Sequence, residues 1–148
     1  MKADFYGTID VRPIDGRVWE YQGEWGIVVS TKKTILKRRI EPFEGFRCDL
    51  CSIPRIAWRL IGPPAGFSKK SNYLAAGVIH DLLYVFGTEP GLYHCSRKYA
   101  DDVFLACLKD LGVSKWRRAM MYSCVRVFGG RYFGDKERLS KLRGVDYE

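Results

Sequence analysis

Leu74-Ala75-Ala76-Gly77-Val78-Ile79-His80-Asp81-Leu82-Leu83-Tyr84 and the downstream Ala100-Asp101-Asp102-Val103-Phe104-Leu105 decide how this chain reads. The first stretch is apolar on nearly every side, which predicts a helix buried all round. A histidine followed by an aspartate in such a helix is costly unless both groups are satisfied. His80 is also one of only two histidines in the chain. At 100° per residue, Tyr73, Gly77, His80 and Tyr84 share one stripe, and Leu74, Val78 and Leu82 the opposite face. Asp81 falls beside the His80 stripe, and Gly77, one turn earlier, leaves room beside the ring. In the second stretch Ala100, Phe104, Cys107, Leu108 and Leu111 form the core face. Asp101 is then turned inward, while Asp102 points toward Lys98 and Lys109 as a solvated charge. An inward carboxylate needs a partner. Two helices joined by a short loop can pack antiparallel, which would bring Asp101 to His80.

Outward from this pair, the first helix is expected from about Tyr73 to Val85, capped by Ser71 or Asn72 and broken by Gly87 and Pro90-Gly91. The second starts near Ser96 and ends before Gly112. A third runs from Ser114 to about Phe128, stopped by Gly129-Gly130. A charged tail from Arg131 to Glu148 has room for one more short helix. Residues 1–47 are β-rich. Trp25–Ser30 and Lys33–Ile40 are strand candidates, and Asp15-Gly16 and Gln22-Gly23 are turn signals. Lys32-Lys33 and Lys37-Arg38-Arg39 are expected to face solvent. Residues 48–72 are a Pro/Gly connector. The expected fold class is α+β: a small antiparallel sheet or meander of three to four strands followed by three helices, in a single domain spanning 1–148.

The chain has 148 residues, 47% of them apolar, enough for a sizeable core. Its 25 Lys and Arg against 17 Asp and Glu give a net charge of +8, which favours anionic partners. No nucleic-acid motif accompanies the charge, so nucleic acid is not the expected partner. No apolar run reaches the ~18 residues needed to cross a bilayer. Met1-Lys2-Ala3-Asp4 is not followed by an apolar stretch, so no signal peptide is expected. The five cysteines, Cys48, Cys51, Cys95, Cys107 and Cys124, are an odd number, and reduced thiols are the default. Cys48-Asp49-Leu50-Cys51 has the spacing of a zinc knuckle, but no second close pair accompanies it.

An imidazole oriented by a buried carboxylate is the base–orienter pair of hydrolytic enzymes. No serine or cysteine is placed as a nucleophile, which leaves water, with His80 as general base. Asp81 could hold a cation, and calcium suits an oxygen-only site completed by backbone carbonyls. The alternative is a buried His–Asp pair that only pins two helices together.

Two resemblances bear on this choice. Asp49-Leu50-Cys51-Ser52-Ile53-Pro54-Arg55, His80-Asp81-Leu82-Leu83-Tyr84, Ser96-Arg97, Ala100-Asp101, Gly112-Val113 and Trp116-Arg117-Arg118…Met121-Tyr122 resemble the DUF1353 family of small proteins from bacteriophages, prophages and bacteria. Cys51 departs from the small residue expected there. Over a shorter stretch, Ala75-Ala76…His80-Asp81-x-x-Tyr84 followed by Ala100-Asp101 is similar to secreted phospholipases A2, especially the phospholipase domain of parvovirus capsid proteins. That resemblance implies that His80 activates water, Asp81 binds calcium and Asp101 orients His80, with Tyr84 completing the catalytic set. The family's glycine-rich calcium loop has a degraded counterpart in Leu60-Ile61-Gly62-Pro63-Pro64. Gly62 and Pro64 are therefore the implied backbone partners of the metal. A His-Asp dipeptide also occurs in HD-type phosphohydrolases, but those need further metal-binding histidines, and His94 is a poor substitute.

Two functions follow as expectations. One is a calcium-dependent esterase acting on phospholipid of a host envelope, with Trp58, Phe67, Tyr132 and Phe133 as candidate interfacial residues. The other is a phage virion component, such as a tail or baseplate protein, contacting other phage structural proteins. The expected location is the virion or the host cytoplasm.

Overall fold

Alternation sets the β half. Ile27 and Val29 are buried while Val28 between them is half-buried, the period-two pattern of a strand with one face on a core. This computed structural model describes residues 1–15, 18–49, 59, 73–135 and 137. Six strands come first: β1 (Lys2–Tyr6), β2 (Asp10–Asp15), β3 (Val18–Gln22), β4 (Gly26–Thr31), β5 (Thr34–Ile40) and β6 (Arg47–Cys48). They form two antiparallel three-stranded sheets, β1-β4-β5 and β2-β3-β6. The α+β class stands, but one expected sheet is two. The second sheet is small: β6 has two residues, and β2 carries Pro13, which is tolerated because β2 is an edge strand with a register shift beside it.

Tyr21 and Trp25 lock the two sheets together across the turn at Gln22-Gly23. The Tyr21 hydroxyl accepts from Trp25 N at 2.9 Å and donates to Trp25 O at 2.8 Å, and the rings lie 5.1 Å apart. Gly23 takes φ +77° there, a conformation that glycine adopts without penalty.

Three helices follow: α1 (Leu74–Phe86), α2 (Arg97–Asp110) and α3 (Lys115–Phe128), the last running into a 3-10 turn at Gly129–Arg131. In α1 every residue from Ala75 to Val85 is buried, as the all-round apolar pattern requires. Its cap position is Tyr73, whereas the expected Ser71 or Asn72 lie outside the described residues. Ser96 caps α2, its Oγ accepting from Tyr99 N at 3.1 Å. On α2 the expected core face is buried at Ala100, Phe104, Cys107 and Leu108, with Leu111 partly so. The pair α1–α2 runs antiparallel: His80 meets Phe104, and one turn on Tyr84 meets Asp101. Helix α2 also packs on β1, where Asp110 Oδ2 accepts from Phe5 N at 3.0 Å.

Candidate functional site

The α1–α2 crossing places His80 Nε2 2.9 Å from Asp101 Oδ1, with both side chains essentially inaccessible, 2% and 0% exposed. Tyr84, one turn along α1, donates its hydroxyl to the same oxygen at 2.7 Å. The second carboxylate oxygen is taken by a third helix: Arg126 Nη1 donates to Oδ2 at 2.6 Å, and Arg97 Nε lies 3.7 Å from it. Arg97 also donates to the Arg126 carbonyl near the end of α3. One carboxylate thus joins three helices.

The electrostatics follow from these partners. Burial pushes the Asp101 carboxyl up, but the His80 and Tyr84 hydrogen bonds, the His80 charge and the Arg126 bond outweigh it, and the net shift is down. Asp101 is therefore an anion at neutral pH. A carboxylate only accepts, so the His80 nitrogen that faces it, Nε2, carries a proton. The Tyr84 hydroxyl is pushed strongly up, by burial first and then by its bond to Asp101. It remains a donor and positions Asp101 rather than exchanging a proton.

Two glycines let these groups close in. A methyl group on Gly129 would sit 2.6 Å from the Tyr84 hydroxyl, and one on Gly130 would strike the Arg97 guanidinium. Beyond them, Phe133 packs edge-on against Tyr84 at 5.3 Å, and Gly134 N donates to Tyr84 O at 2.9 Å. Phe133 is thus a half-buried wall of the site.

Asp102 departs from the expectation of a solvated charge. Lys98 Nζ reaches it at 2.6 Å, but the Tyr122 hydroxyl of α3 also donates to it at 2.7 Å, which leaves it half-buried. Asp81 is buried at 1% exposure, and its Oδ2 accepts from Asp49 N at 3.2 Å, tying α1 to the end of β6. Cys51, Trp58, Gly62, Pro64 and Phe67 lie outside the described residues. Among the described residues no group of three His, Cys, Asp or Glu side chains gathers to hold a metal.

Arg126 and Arg97 hold the Asp101 carboxylate; Arg97 enters the sequence analysis only within the Ser96-Arg97 resemblance, and Arg126 does not enter it. Arg97 is four residues before Asp101, a spacing that places the two on one helix face, so it was findable. Arg126 comes from another helix, and no local signal announces it.

The comparison with curated proteins and with solved structures gives no match. The family model described as a protein of unknown function, DUF1353, matches residues 27–125, from β4 to the residue before Arg126. That span holds His80, Asp81, Tyr84, Arg97 and Asp101, and it covers well over half of the sequence: the chain belongs to the DUF1353 family.

Proposed function

We propose that this protein is a hydrolase in which water, deprotonated by His80, attacks an ester of a phospholipid, with a host envelope as the surface. The observation that supports the reading is the shared carboxylate: Asp101 accepts from His80 and Tyr84 on one oxygen and from Arg126 on the other. In the reaction, the His80 Nδ1 lone pair takes a proton from water as the oxygen attacks the acyl carbon. The imidazole becomes a cation, and the Asp101 anion 2.9 Å away stabilises it. The same proton then passes to the departing alkoxide, which restores neutral His80. Tyr84 and Arg126 hold the carboxylate in place throughout. Asp81 is the residue that would hold a calcium ion, which would polarise the ester carbonyl.

A second reading is favoured by the burial of the pair. His80 and Asp101 at 2% and 0% exposure also suit a structural pin in a virion component. His80→Gln separates the two. The measurement is hydrolysis of mixed phospholipid vesicles, with calcium and with chelator, alongside thermal unfolding. The hydrolase reading expects calcium-dependent turnover that falls roughly 100- to 10,000-fold in the variant. No hydrolysis by the unsubstituted protein, together with a lowered melting temperature in the variant, overturns it in favour of the pin.

A further inference from the structure

The tip of the β4–β5 hairpin breaks the rule that apolar side chains of a strand share one face. Thr31 pairs with Thr34 and Val29 with Arg38, so Ile35, Leu36 and Lys37 stand opposite the single residue Ser30. This bulge lies on β5, an edge strand, and β1 begins opposite Ser30, so the sheet body ends there. Two consecutive apolar side chains are left in water: Ile35 is fully exposed and Leu36 is 83% exposed. Lys32, Lys33 and Lys37 around them are exposed too, and none has a salt-bridge partner among the described residues. From Ser30 to Ile40 the chain has five basic residues and no acidic one.

We infer that this tip docks the protein on an anionic lipid bilayer, Ile35 and Leu36 entering the acyl boundary and the lysines meeting the headgroups. An apolar point ringed by lysines matches such a surface in both layers: apolar area below, negative charge above. Lysine stems can lie along the boundary while the ammonium groups stay wet. A stable protein interface needs about 800 Å² per partner, more than two side chains on a protruding turn supply. Nucleic acid would use the lysines and leave Ile35 and Leu36 idle. The strand is also fastened to the candidate site. Arg38 Nη2 donates to Leu92 O at 2.9 Å and His94 O at 3.2 Å, in the connector between α1 and α2, and its guanidinium lies 5.2 Å from the centroid of the Tyr99 ring on α2. The same connector presents Leu92, 73% exposed.

The inference rests on the phospholipid reading for its purpose and is tested apart from it. The full chain is sedimented with vesicles of phosphatidylcholine alone and with vesicles containing one quarter phosphatidylglycerol. Binding is expected only to the second kind and to weaken with salt. The double variant Ile35→Ser, Leu36→Ser should lose roughly tenfold in partition for each side chain. Changing Lys32, Lys33 and Lys37 to Gln should lose about fivefold for each. Neither set should move the melting temperature, because all five side chains are exposed. No binding to anionic vesicles, or equal binding by the double Ser variant, overturns the inference. A concentration-dependent dimer abolished by the double Ser variant, without vesicle binding, overturns it too and assigns the edge strand to a second copy. His80→Gln should sediment like the unsubstituted chain. Vesicle binding without any lipid hydrolysis would sink the hydrolase reading and leave the docking surface standing.

Discussion

Arg126 donates to Asp101 on the oxygen that His80 does not use, at 2.6 Å, across a helix boundary. The carboxylate is therefore shared between an imidazole and a guanidinium, so orientation of the ring and docking of α3 depend on one group. Replacing Arg126 by Gln leaves a buried anion with one charged partner fewer. Hydrogen bonds to charged groups are worth about 1.5–3 kcal/mol, and urea unfolding should show a loss of that size. Lys98→Gln breaks an exposed pair and should leave the midpoint where it is. Equal effects from the two would mean that Arg126 is not coupled to Asp101 in solution.

Tyr84→Phe keeps the ring that packs 4.0 Å from His80 and removes only the donor to Asp101. A loss of about 1 kcal/mol is expected. Because Tyr84 and His80 share Asp101 Oδ1, the double variant with His80→Gln should not be additive. Additivity within 0.3 kcal/mol, the order found for independent sites, would argue against a shared carboxylate.

Gly129→Ala tests the close approach at the end of α3. The backbone there has φ −72°, open to any residue, so the penalty is steric: the new methyl group meets the Tyr84 hydroxyl at 2.6 Å. Overpacking of this kind costs about 1–3 kcal/mol. The variant should melt lower, and Tyr84→Phe in the same chain should recover part of the loss by removing the oxygen. No recovery would place the strain elsewhere.

Acid should weaken the site. The Asp101 carboxyl is held below its ordinary value, so it binds protons more readily in the unfolded chain than in the folded one. Its contribution is complete above the unfolded value, near pH 4, and is lost as pH falls through the lower folded value. Glu20, Glu41 and Asp102 are also held down by their partners and add to the same acid limb. The readout is therefore a difference: unfolding free energy from pH 6 down to pH 2.5 should slope less in Asp101→Asn than in the unsubstituted protein. Identical slopes would refute the shift.

Helices were the legible part of this chain because their signals are local. Ser96 caps α2 through its own hydroxyl, and the apolar wheel of α1 predicts burial on every side. His80, Tyr84 and Asp101 were legible for a related reason, since they lie on consecutive helices whose inward faces can be read from spacing alone. The rest depends on a third partner. The spacing of α2 turns Asp102 outward and predicts a solvated charge, yet Tyr122 arrives from α3 to cover it. Arg126 is 25 residues from Asp101, and nothing in its own helix distinguishes it from Arg117 or Arg118. The two-sheet arrangement is hidden likewise, because it rests on Trp25 bonding to Tyr21 and to Asp10 O and on a two-residue strand.

The bond from Phe5 N to Asp110 Oδ2 spans 105 positions and has a consequence for biosynthesis. A growing chain completes β1, β4 and β5 by residue 40, but the helix that seats against β1 ends about seventy residues later. At 5–20 residues per second the sheet waits roughly 4–14 s with that face open to solvent. During that interval the nascent chain is most vulnerable to sticking to its neighbours on the ribosome, and release of the α2 segment ends the exposure.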